Sequence, residues 1–219
     1  MNDIQRHDRW KRSGLRTYNG KWADDYDSCL WWRFFSAQNM DKAVVDELSR
    51  FNPNLRILDV GCATGRLLKS LARNGLHDLY GMDIAPRIVA TAKRRLKPLV
   101  KDIDLQVGDA EEKIPWLNNT FDVITATGVL HHFANPKSAL KEIYRVLKPK
   151  GQLIIIDPKF FSPIRQIINL FLKIHPLNGD FHFYSLKGVT SLLKKCNFNI
   201  VKCKQYSWCM YIVIGEKLL

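Results

Sequence analysis

Leu58-Asp59-Val60-Gly61-Cys62-Ala63-Thr64-Gly65-Arg66 reads as an apolar strand running straight into a glycine turn and then a helix. Glycines at such a turn let the backbone approach a ligand with no Cβ in the way, and open parallel sheets bind ligands at the carboxyl ends of their strands. The spacing is G-x-x-x-G, not G-x-G-x-x-G, which weakens a dinucleotide-binding reading without removing it. Outward from this stretch, short β-branched runs alternate with segments of helical period, the pattern of βαβ units around a parallel sheet. Strands are predicted at 56–60, 79–83, 103–108, 122–127 and 152–157, with helices at 66–74, 86–96 and 136–147. Pro149 and Gly151 are expected to close the third helix and turn the chain into the fifth strand.

After Asp157 the pattern changes. An amphipathic helix is expected at 164–174, with Ile164, Ile167, Ile168, Phe171 and Ile174 on one stripe and Arg165, Asn169 and Lys173 on the other side. A helix at 185–196 and strands at 198–204 and 208–216 follow, the strands joined tightly enough for an antiparallel hairpin. The fold expected is therefore α/β, a doubly wound Rossmann-like sheet of seven strands, five parallel plus the hairpin, with the last strand inserted beside the fifth. A single domain is expected: an N-terminal cap over 1–52, a ligand-binding core over 53–157, an insert over 158–184, and the closing helix and hairpin over 185–219. The cap reads as an aromatic-rich helix pair, with Trp22, Tyr26, Trp31, Trp32, Phe34 and Phe35 followed by Val44, Val45 and Leu48.

The 219 residues, 46 % hydrophobic and 25 % charged, exclude a disordered or low-complexity chain. An excess of 34 Lys+Arg over 21 Asp+Glu, a formal charge of +13, favours anionic partners without naming one. The five cysteines, Cys29, Cys62, Cys196, Cys203 and Cys209, are odd in number and lack C-x-x-C spacing, so neither a disulfide framework nor a zinc knuckle is suggested. No metal site is expected. No secretory h-region opens the chain, and no apolar run nears the roughly 20 residues of a membrane-spanning helix, so the expected location is the cytoplasm.

Three consecutive predicted strands end in a carboxylate: Asp59, Asp83 and Asp109. Clustered acids repel a pyrophosphate and suit a phosphate-free, cationic ligand such as S-adenosylmethionine, with its sulfonium and ammonium groups. Asp83 lies where an acidic side chain can accept both ribose hydroxyls, and Asp109 where it can accept from an adenine amino group. The competing account is that these acids only cap the helices that follow.

The string LDVGCATGR, GMDIAP with Asp83, VGDAEEKIP with Asp109, FDVITATGVLHHF, and PKSALKEIYRVLKPKGQLIIIDP resemble the successive motifs of class I S-adenosylmethionine-dependent methyltransferases. The likeness is to the subgroup similar to the ubiquinone and menaquinone biosynthesis methyltransferases, and it covers roughly residues 22 to 216. It implies that Gly61, Ala63 and Gly65 floor the methionine part of the cofactor while Asp59 fixes the turn and helps hold the ammonium. It further implies that Asp83 takes the ribose, Ile84 packs on the adenine, Asp109 and Ala110 read its amino edge, and Thr127 lines the methionine moiety. Tyr26, in a segment resembling the helix that closes over the cofactor, is a further candidate contact. Ala63 stands where the family has the middle glycine of the turn, which a methyl group tolerates at negative φ.

His131 and His132 follow the fourth strand where a transferred methyl group must emerge; His131 is the candidate catalytic residue, expected on the substrate side, and either histidine can serve as a general base. Methyl transfer from a sulfonium is an in-line displacement that proximity and orientation can drive, so a base is optional. The insert, rich in apolar and aromatic side chains, is expected to build the pocket of a small apolar or aromatic acceptor together with the cap. Eight Lys and Arg over 158–204 against Asp180 alone, and six over 86–101 with no acid, keep RNA and an anionic membrane surface as alternatives, and the HHF element after the fourth strand resembles that of tRNA wobble-uridine methyltransferases, which implies a tRNA substrate as the second reading. A non-catalytic subunit that binds the same cofactor is a third possibility.

Overall fold

Strand β1 (Ile57–Val60) is buried along its whole length, and the computed structural model shows why: it lies inside a seven-stranded sheet of order β3-β2-β1-β4-β5-β7-β6. The structure describes residues 3–20, 37–49, 54–100, 103–175, 177 and 179–219. Strands β2 (Leu79–Asp83), β3 (Asp104–Val107), β4 (Phe121–Thr127) and β5 (Leu147–Pro158) complete the parallel part. The antiparallel hairpin is β6 (Phe198–Ser207) with β7 (Met210–Lys217), and β7 lies between β5 and β6. The strand order reverses between β1 and β4, so the carboxyl ends of these neighbours splay apart their following loops and leave a crevice.

Alternation within the strands divides the core. Ile57, Val123, Ile154 and Ile156 point to one face with Leu68, Leu71, Val89 and Ala92. Those side chains come from α3 (Arg66–Arg73) and α4 (Pro86–Leu96), and α2 (Ala37–Leu48) adds Val44 and Leu48. Leu58, Ile124, Leu153 and Ile155 point to the other face, under Ile143 and Leu193 of α5 (Pro136–Val146) and α7 (Leu186–Lys195). At about 2 kcal/mol for each aliphatic side chain removed from water, these two layers are what fixes the sheet and hence the strand ends.

Four expectations change. Strand β5 begins at Leu147 rather than at residue 152, because the chain re-pairs with β4 through Pro149-Lys150-Gly151 across a register shift, Lys150 taking φ +62°. Trp208 lies in the turn between β6 and β7, not in a strand. A helix that the charge-rich start of the sequence did not suggest, α1 (Asp3–Tyr18), precedes the aromatic segment. It forms because Trp10, Gly14 and Tyr18, with Lys11 and Leu15, recur every four residues and make one face. The aromatic stretch itself, Tyr26 included, lies outside the described residues. Last, the insert helix α6 (Ser162–Leu172) buries only Leu172 and leaves its apolar stripe exposed.

Candidate functional site

The turn after β1 alternates left-handed residues, with φ +74° at Gly61, +45° at Ala63 and +76° at Gly65. Ala63 therefore lies outside the negative φ at which a methyl group is tolerated freely, and its methyl group costs roughly 1–2 kcal/mol there. Hydrogen bonds offset that cost. Gly61 N and Cys62 N donate to Met82 O at 2.8 and 3.0 Å, and Ala63 N donates to Asp83 Oδ2 at 3.0 Å. At Gly61 a Cβ would sit 2.5 Å from Val129 Cγ2, so only glycine fits between turn and neighbouring loop.

Asp83 takes a second backbone donor, Ala85 N, on Oδ1 at 3.0 Å. Burial raises its pKa, while these amides act to lower it. It is thus Asp83, not Asp59, that pins the turn. Asp59 is buried behind it, accepts from Thr125 Oγ1 at 2.7 Å, and is pushed up to about 7 by burial, with Asp41 and Asp83 adding to the rise. Asp109 accepts from Glu111 N at 2.8 Å and pairs with Lys11 of α1. Burial works against the Lys11 charge, yet Asp109 and Glu111 raise its pKa above the ordinary lysine value. His7 adds a contact of 2.7 Å to Glu111.

These elements enclose a cleft of about 1130 Å³, its open mouth included. Asp59, Gly61, Ala63, Asp83, Ile84, Asp109, Ala110 and Thr127 all line it; Gly65 stands just behind as the residue that opens α3. The donor set suits the expected cofactor: acceptors for hydroxyls and cationic nitrogen at Asp83 and Asp59, apolar walls at Ile84 and Ile88, and no phosphate-binding cation in the turn. Trp10, also on the wall, keeps its indole N–H buried without a hydrogen-bond partner.

At the other end the structure puts His132, and not His131, on the cleft wall. His131 is buried behind the wall, its Nδ1 donating to Asp157 Oδ1 at 2.9 Å and its ring stacked 4.7 Å from Phe183. Burial acts to lower its pKa, but Asp157 and Asp180 prevail and the pKa is raised. His132 lines the cleft. Its Nδ1 lies 3.3 Å from Asp180 Oδ1, and the Tyr18 hydroxyl donates to its Nε2 at 3.4 Å. Burial first and the neighbouring His131 second pull it down to about 4, so it is neutral near pH 7. One donor atom from each of His131, His132 and Asp180 falls within 4.8 Å of the others, a spacing the sequence did not suggest. Nor did the sequence single out Lys11, Tyr18 or Asp157, although Asp157 ends a parallel strand as Asp59 and Asp83 do.

Residues 58–155 match the family model described as a methyltransferase domain. A demethylmenaquinone methyltransferase of Leptospira interrogans is 32 % identical over 178 residues, covering 78 % of this chain and 72 % of its own. This chain belongs to the class I S-adenosylmethionine-dependent methyltransferases. A demethylmenaquinone methyltransferase of Thermotoga maritima is 31 % identical over 153 residues, covering 65 % of this chain and 64 % of its own. The chain spans from about half to just under two thirds of the length of such relatives, 64, 53 and 60 % in three of them. In fold, this methyltransferase chain is similar to the [4+2]-cyclase SpnF, with a TM-score of 0.70 at 20 % identity over 84 % of this chain and 82 % of that one.

Proposed function

We propose that this chain transfers a methyl group from S-adenosylmethionine to a small, apolar, hydroxyl-bearing aromatic acceptor of quinol type. The observation that carries the proposal is one continuous cleft, with the Asp83 and Asp109 carboxylates at one end and neutral His132 at the other. When bound, the cofactor supplies an electrophilic methyl group on a sulfonium. Asp83 would accept the ribose hydroxyls on the lone pairs that Ala63 N and Ala85 N leave free, Ile84 would pack on the adenine, and Asp109 would take its amino edge. Thr127 and the Gly61 backbone would flank the methionine part, with Asp59 behind them.

The acceptor would meet His132 rather than His131. Its Nδ1–H faces Asp180, which leaves Nε2 to accept from a hydroxyl, either Tyr18 or an acceptor that displaces it. A base near 4 is too weak to strip a phenol outright, so its role is to hold and polarise the hydroxyl. This pushes electron density toward the attacking atom as the bond to methyl forms. His131, paired with Asp157, positions the loop and keeps His132 neutral. Relatives named demethylmenaquinone methyltransferase support a quinol-type acceptor.

The similarity to a cyclase makes transfer itself the quantity to measure. Incubation with methyl-labelled S-adenosylmethionine and separate lipid, small-molecule, RNA and protein fractions should label the lipid or small-molecule fraction, and a reduced isoprenoid naphthoquinone should compete. Label confined to RNA would replace the acceptor class; cofactor binding with no label anywhere would favour a non-catalytic role.

A further inference from the structure

Helix α6 is built inside out. Its inner side is held by Leu172 and by Asn169, whose Oδ1 accepts from Phe183 N at 2.8 Å and whose Nδ2 donates to Phe183 O at 2.9 Å. At 100° per residue, Ile164, Ile167, Phe171 and Ile174 cluster on the opposite side, and Leu170 extends it. Ile167 is 67 % exposed, Leu170 63 % and Ile174 60 %. Phe161, just before the helix, is 65 % exposed. Trp208 in the β6–β7 turn, 71 % exposed, stands beside it, because Lys159 N donates to Cys209 O at 2.6 Å and ties the turn to the entry of α6. A run of exposed apolar side chains of this kind is uncommon on a chain that meets only water.

Charge identifies the occupant. Lys159 stands at the entry to the face and Lys173 at its edge, exposed Lys204 lies on β6, and no acid occurs from 158 to 179; Arg165 falls on the inner side beside His182, and Lys202 is paired with Glu47. Arg165 and Lys173, with Arg6, act together on His182, which lies beside α6 and whose pKa burial and these cations lower. Apolar side chains on one side, cations at the rim and a tryptophan at the margin are the features of a helix lying in a bilayer interface. Among the described residues no helix is long and apolar enough to cross a membrane.

We infer that α6 and the β6–β7 turn form a docking face for an anionic lipid surface. Docking there sets the acceptor end of the cleft near the bilayer, since Phe183, held by Asn169, stacks on His131 next to His132. The lipid contact stands on this face alone; only its purpose, delivery of an apolar acceptor, rests on the proposed function.

Flotation of the full chain with vesicles of phosphatidylcholine, with or without about 30 % phosphatidylglycerol, tests it with no acceptor present. The chain should float with the anionic vesicles, and added salt should weaken binding. Ile167→Asp with Leu170→Asp should reduce binding by about tenfold or more, and Lys159→Gln with Lys173→Gln by less. All these side chains are at least partly exposed, so circular dichroism and binding of S-adenosylhomocysteine should be unchanged. No flotation, equal flotation of the aspartate variant, or a lipid-free oligomer that this variant dissolves would overturn the inference. Methyl transfer is not read, so a wrong acceptor leaves this result intact.

Discussion

The two ends of the cleft are built on different principles. The cofactor end is a backbone cradle: three left-handed residues, amides tied to Met82 and Asp83, and carboxylates at strand ends. The other end is a side-chain network in which His131, Asp157, His132, Asp180 and Tyr18 meet from four separate places in the chain. A cradle tolerates loss of one side chain with the fold intact, whereas a buried charged network does not. Substitutions at the first end should therefore be read in affinity, and at the second in stability.

The largest expected effect is at the second end. Asp157→Ala strands His131 in a site where the pair is 6 % and 0 % exposed; losing one partner of such a pair costs about 3–5 kcal/mol. Urea unfolding midpoints measure this, and a loss under about 1 kcal/mol would erase the contrast between the two ends. Next, Asp83→Ala should leave the fold standing but weaken S-adenosylhomocysteine binding by roughly 1.5–3 kcal/mol, the range for hydrogen bonds to a charged group. Unchanged calorimetric affinity would reduce Asp83 to a pin for the turn.

A smaller effect follows from Asp59. Its folded pKa, about 7, exceeds the ordinary 3.8, so any stability it lends is complete below about 3.8 and is lost as pH rises to about 7. A ligand ammonium nearby favours the carboxylate and releases its proton. Affinity for S-adenosylhomocysteine should then rise about tenfold from pH 6 to 8 and level off. Calorimetry in two buffers of different ionisation enthalpy counts the proton; a flat profile means Asp59 stays neutral behind Thr125. The smallest effect separates acceptor classes: Lys194→Ala with Lys195→Ala should hardly alter turnover, and acceptor KM should change less than about threefold between 50 and 200 mM salt. Steep salt dependence would mark a polyanionic substrate.

The same contrast explains what could be read from sequence. The cradle was legible because its parts are consecutive: a strand, a turn and the acids that end strands fall within short motifs whose spacing is set by backbone geometry. The parallel strands and the closing hairpin were legible as alternating patterns, while the order β3-β2-β1-β4-β5-β7-β6 came with the structure. His132 could not be preferred to its neighbour, because which of two adjacent residues in a tight turn faces the cleft depends on packing by Phe183 and Asp157, 26 or more positions away. The apolar stripe of α6 was visible as a stripe. Whether it faced the cleft was not, because helical period shows that one side differs from the other and not which side finds the protein. Lys11 and Tyr18 lay in a segment whose charge concealed its four-residue period.

Helix α1 touches both ends at once, Lys11 at Asp109 and Tyr18 at His132, about 10 Å apart along one rigid rod. A ligand at the Asp83 end and one at the His132 end would therefore rest against the same helix. If the first to bind restrains α1, the second would meet a wall already in place, and the two would bind with positive cooperativity without touching.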